Sequence, residues 1–161
     1  MSLSLFFLII LSSALCFAYP SVGDKVTWTG QIHLVDGSSR ELKVTKEVTS
    51  FDKESKQWHV KVNTSVGDKN HIEEFLLKDL YSPTAYKEVM ANCQKNGGAV
   101  EELKFSIGTY KTCKISSTME DGTFVERWWG DIPFGVVSKN TRDMGTQISQ
   151  DSETKTALVG L

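Results

Sequence analysis

Chemistry needs nucleophiles, acids, bases or metal ligands in reach of one another, and this 161-residue chain spaces them apart. His33, His59 and His71 form no pair with ligand spacing, and zinc needs three or four convergent ligands, so no metal and no cofactor is expected. His33 and His59 fall on the polar phase of alternating segments, which predicts solvated side chains. Glu73-Glu74 and Glu101-Glu102 are adjacent pairs. Neighbours on a strand point to opposite faces, so neither pair can share a proton as a carboxylate dyad, and both read as surface charge. Glu74 would be partly buried only if the apolar residues after it set the register. The chain has no Gly-x-Ser-x-Gly and no phosphate loop; Gly97-Gly98 closes a helix, whereas phosphates gather at helix starts. No catalytic residue is assigned and the chain reads as a non-enzyme, with a hydrolase built from scattered residues as the outlying alternative. Asn63-Thr64-Ser65 has the form of a glycosylation acceptor, which matters only in a eukaryotic secretory route.

The cysteines say more. Residues 3–17 are almost wholly apolar, and no charged side chain precedes Asp24. That run is short for a membrane helix, which needs roughly 20 apolar residues. It fits the core of a signal peptide spanning residues 1–18, with small Cys16 and Ala18 before the cleavage point at Tyr19. Its n-region lacks Lys and Arg, leaving the terminal amine as its positive charge. Leu15 stands where a lipoprotein peptidase takes a small residue, so lipid anchoring through Cys16 is not expected. Cleavage would leave residues 19–161 as a single exported domain, periplasmic or secreted, with no integral membrane segment. Cys93 and Cys113 then remain, and an even count in an oxidising compartment reads as a disulfide. Closing such a loop would stabilise the fold by about 3 kcal/mol. Two free thiols are the rival reading.

The aromatic residues are the other candidates for function. Trp128 and Trp129 are consecutive on an expected strand and must face opposite ways, one into the core and one under a loop or at a contact surface. The outer indole could form a groove with Phe134 or anchor a partner, as Trp often does. Trp28, Trp58 and Met90 are expected on the sheet face that a helix would cover. If the helix fills that concavity they are core; if it does not, they line an apolar cavity suited to a lipid-like ligand.

The elements that must position these residues are mostly strands. Val26, Trp28, Ile32 and Leu34 alternate with Thr27, Thr29, Gln31 and His33. Leu42, Val44 and Val48, then Trp58, Val60 and Val62, continue the pattern across turns at 36–39 and 52–56. The links are too short for crossover helices, so these runs form an antiparallel meander. Phe75-Leu76-Leu77 breaks the alternation, as a bulge or a strand buried on both faces. Ser82 as N-cap, Pro83 at the first helical position and Gly97-Gly98 as the stop bound one helix, whose apolar stripe is Ala85, Val89, Met90 and Cys93. Further strands surround 103–107, 113–115 and 124–129, with Asp121-Gly122 suggesting a type I′ turn. A corner at Pro133-Phe134-Gly135 and weaker strands near 146–149 and 155–161 complete the chain. The fold class is mainly β: a curved antiparallel sheet or half-barrel of about nine strands, with one helix on its concave face.

The charges, 18 basic and 20 acidic, are evenly mixed and contain no like-charge block, so no nucleic-acid footprint and no polybasic membrane patch is present. The stretch Cys93, Gly97-Gly98, Gly108-Thr109-Tyr110, Thr112-Cys113-Lys114, then Trp129 and Pro133-Phe134-Gly135-Val136-Val137, resembles a family of small uncharacterised exported proteins of Gram-negative bacteria. Tyr110 stands where that family has Phe. More distantly the chain is similar to the Lol lipoprotein carriers, whose antiparallel half-barrel is lidded by helices. Fold likeness alone does not carry function. The expectation is a non-catalytic envelope protein that binds a hydrophobic ligand or an envelope protein through a concave sheet face. A structural or partner-binding module with a filled core is the alternative.

Overall fold

The computed structural model describes residues 19–34, 36–143 and 151–157. The expected signal peptide, with Cys16, and the weak strand expected near 146–149 lie outside the described residues. The elements run β1 (Lys25–His33), β2 (Ser39–Asp52), β3 (Gln57–Val66), β4 (Lys69–Leu77), α1 (Pro83–Ala91), β5 (Ala99–Phe105), β6 (Gly108–Thr118), β7 (Phe124–Trp129), β8 (Val136–Arg142) and β9 (Asp151–Ala157). Their order across the sheet is β4-β3-β2-β1-β9-β8-β7-β6-β5. Two four-stranded meanders, β1–β4 and β5–β8, therefore flank β9, which pairs antiparallel with β1 and with β8. The sheet is mainly antiparallel and open, its edges being β4 and β5.

The sheet must also curve. Val26, Trp28, Ile132 and Val137 form one buried cluster, against which Val44, Leu103, Phe105, Tyr110 and Phe134 pack. These residues come from strands as far apart in the order as β2 and β5. Laid flat at ~4.8 Å per strand, six steps would separate them by roughly 29 Å. Shared apolar burial across that distance requires curling.

Local signals behave as the residues dictate, with three corrections. Ser82 Oγ accepts from the Ala85 amide and Pro83 opens α1, as expected, but the helix ends at Ala91 and turns carry the chain to Gly97. No α1 residue is buried, and its principal contacts are with β6, not with the Trp28 face. The stripe is too short to cover a sheet, and Cys93, just past the helix, does the anchoring. Second, β4 pairs with β3 in unbroken register and is exposed along its length, Glu74 included. Phe75-Leu76-Leu77 is neither bulged nor buried; it lies on an open edge. Third, the β6–β7 hairpin is closed by Gly122 N to Met119 O at 3.0 Å, with Gly122 at φ 86° and Asp121 not left-handed. A type I′ turn needs two left-handed residues, so this is a three-residue loop with a glycine bulge. Of the last strand, expected at 155–161, residues 158–161 lie outside the described residues, and the described part runs Asp151–Ala157.

The disulfide is present, Cys93 to Cys113, with Cα atoms 5.7 Å apart. Gly98 has no room for a side chain: a Cβ there would sit 2.8 Å from the Lys114 carbonyl and 2.9 Å from Cys113 Sγ. Among the described residues no helix is long and apolar enough to cross a membrane.

Candidate functional site

Alternation on β2 places Leu42, Val44, Lys46 and Val48 on one phase, so a lysine occupies the third place of an apolar row. On β7 and β8, Arg127 and Lys139 are direct cross-strand partners. Curvature brings these two strand pairs to the same hollow, a cavity of about 410 Å³. Its floor and walls are Trp28, Leu42, Val44 and Val136; its polar lining is Lys46, Arg127, Lys139 and Thr141. Small-molecule sites commonly combine such a floor with a few placed polar groups, in ~300–1,000 Å³.

Trp28 is fixed rather than loose. It is 5% exposed, its indole Nε1 donates to the Val136 carbonyl at 2.7 Å, and Phe134 meets it edge-on with centroids 6.4 Å apart. That bond ties β1 to the start of β8 across the hollow. Lys46 Nζ lies 5.9 Å from the Trp28 ring centre and 6.0 Å from that of Phe134, within range of cation–π attraction. Burial strips water from this ammonium and holds its pKa below the usual lysine value. The Lys139 pKa is lowered too, by burial first and then by the positive charges of Arg127 and Lys46.

Phe134 and Gly135 turn the β7–β8 corner at φ 64° and 75°. A Cβ at Gly135 would sit 2.8 Å from the Tyr81 ring, so glycine there admits the ring. Tyr81 stacks on Trp129, centroids 5.7 Å apart, with its hydroxyl buried and unpartnered and its pKa pushed up to about 12 by that burial. Tyr19 donates to Asp131 Oδ1, pinning the start of the described chain to the same corner.

The other expected contact residues disperse. Trp58 pairs with Phe51, rings 4.5 Å apart, six positions along β3 from the row of Trp28, hence roughly 20 Å away at 3.3 Å per residue. Met90 is half-buried on α1, whose packing is to β6. Trp28 and Trp58 thus share a sheet face but lie far apart on it, and with Met90 they do not line one cavity. Trp128 is the more buried indole, donating to Glu101 Oε2 at 2.7 Å, with Lys114 Nζ 4.8 Å from its ring centre. Glu101 is thus a buried indole's partner rather than simple surface charge. Trp129 is the covered indole, but its cover is Tyr81; Phe134 belongs to Trp28 instead.

The cations of the cavity went unread in the sequence. Their signal was there, as basic residues standing in phase with apolar rows: Lys46 with Leu42, Val44 and Val48, and Arg127 with Val125. Among the described residues no group of three His, Cys, Asp or Glu could hold a metal. Compared with family models, curated proteins and solved structures, the chain gives no match.

Proposed function

We propose that this is an exported, non-catalytic protein that binds a hydrophobic ligand in the cavity between its two meanders. The observation that carries this reading is the apolar floor of Trp28, Leu42, Val44 and Val136 beneath a hollow of about 410 Å³. A core-filling role would leave no such space beside a buried indole. The polar groups of the lining are two amines, a guanidinium and a hydroxyl, which suit holding and orienting a ligand. The disulfide is compatible with an oxidising compartment and so with export. Native mass spectrometry of protein isolated from its own host tests the reading. A mass above that of the polypeptide is expected, and the bare mass in repeated preparations counts against it.

The partner-binding reading has its own observation. Edge strand β4 exposes Ile72, Phe75, Leu76 and Leu77, and an open edge is where an extended segment of another protein adds as a strand. Hydrogen-exchange protection of the β4 amides in host extract, lost on purification, is the result expected of it. Unchanged exchange would retire it.

A further inference from the structure

The cavity lining carries three positive groups and, among the described residues, no negative one. Half-buried Lys114, by contrast, meets Glu126 at 2.7 Å, and even exposed Lys25 meets Glu47 at 2.9 Å. None of the described ion pairs reaches Lys46, Arg127 or Lys139. Glu126 is next to Arg127 in the chain, but strand alternation sends it to the opposite face, where Lys114 engages it. On β9, Thr154 pairs with Lys139, Thr156 with Trp28 and Ser152 with Thr141.

The arrangement is costly as it stands. Like charges directly opposite on paired strands repel, and Arg127 and Lys139 are such a pair. Lys46 adds a third charge from the other meander, half out of water and over two aromatic rings. Opposed arrangements of this kind persist where they serve a site.

We infer that the cavity takes a single-tailed amphiphile with an anionic head. The head lies among Lys46, Arg127 and Lys139, and the tail runs over Trp28 and Val44. The inference rests on the reading of this cavity as a hydrophobic-ligand site and adds the charge of the ligand. An anion between the three cations removes their mutual repulsion and restores the partners that burial took away, which a neutral ligand does not do. A carboxylate and a phosphate share this chemistry.

The test uses the full chain and four ten-carbon probes: decanoate, decyl phosphate, decan-1-ol and decyltrimethylammonium. Binding is followed by calorimetry and by the Trp28 indole N–H resonance, which reports this cavity because that N–H is bonded across it to Val136. At least one anionic probe should shift the resonance and bind tenfold or more tightly than decanol. The tighter of decanoate and decyl phosphate identifies the head. Lys139→Met and Lys46→Met should bring that probe down to the affinity of decanol, leaving decanol unchanged; Lys25→Met, on the opposite face, should change nothing. If decanol or the ammonium binds as tightly as the anions, the charge inference falls while the hydrophobic reading stands. Should inorganic phosphate alone match decyl phosphate, the tail has no part and the inference also falls. If no probe moves the Trp28 signal, both readings fall.

Discussion

Two hollows of the same volume, about 410 Å³ each, lie on opposite faces of β1 and β2. One is lined by Thr27, Thr45, Asn63 and Ser65, with Lys25 paired to Glu47 and the two threonine hydroxyls 3.0 Å apart. The other has Trp28 and Val44 beneath Lys46. Because strand neighbours face opposite ways, Thr45 and Lys46 belong to different hollows although they are bonded to each other. Size does not separate these surfaces. What separates them is the floor: over hydroxyls and amides an ammonium keeps polar neighbours, whereas over an indole it loses water without replacement.

The contrast should be sharpest in stability. Trp28→Ala removes a buried indole and should cost about 3–5 kcal/mol, against about 1 kcal/mol for Thr45→Ala, which deletes one hydroxyl pair. Chemical denaturation of the two variants measures this; similar losses would mean that Trp28 is no keystone of its hollow. Replacing both Cys93 and Cys113 by Ser should cost roughly 2–4 kcal/mol yet leave the Trp28 indole resonance in place, since the cross-link holds the α1 turn to β6. A displaced resonance would show that the cavity depends on it.

Lysines on the two faces should answer differently. Lys25→Met breaks an exposed pair and should lower stability by less than ~1 kcal/mol. Lys46→Met relieves a buried charge and should hold stability level or raise it. A clear loss at Lys46 would mean that its ring contacts outweigh its lost hydration. A titration follows from the same cause. Since burial lowers the Lys46 pKa in the folded state, the unfolded chain binds the extra proton between that lowered value and the ordinary lysine value of 10.5. Stability attributable to this group should therefore rise with pH across that interval. Lys46→Met should flatten the rise, and an unchanged slope in urea titrations from pH 7 upward would assign it to other groups. Smallest of all, Glu47→Gln should shift the midpoint by a few tenths of a kcal/mol, because Lys25 remains in water.

Much of the frame was legible because period-two patterning and turn chemistry act locally. The β1–β3 meander, the Ser82 cap and the Cys93–Cys113 link follow from residues close in the chain or from pairing by count. What the residues did not show depends on where strands end up across the sheet. Phe75-Leu76-Leu77 looks like interior sequence, and only the strand order makes β4 an edge. Trp28, Trp58 and Met90 share a polarity but not a place, because α1 is too short to reach beyond β6. The cavity needed residues from β2, β7 and β8 to converge, and that convergence is a property of the curl. A basic residue inside an apolar row, as at Lys46, was the mark that sequence reading passed over.

One consequence of the topology concerns timing. The strand at the middle of the sheet, β9, follows the other described strands in sequence, and the walls of the Trp28 hollow stand on either side of it. A polypeptide emerging from its amino end can form each meander early, but the seam between them waits for the carboxyl-terminal stretch to slot in. Until then the facing borders of β1 and β8 stay unpaired, and only the Trp28–Val136 bond and the packing around it hold the two halves of the pocket together.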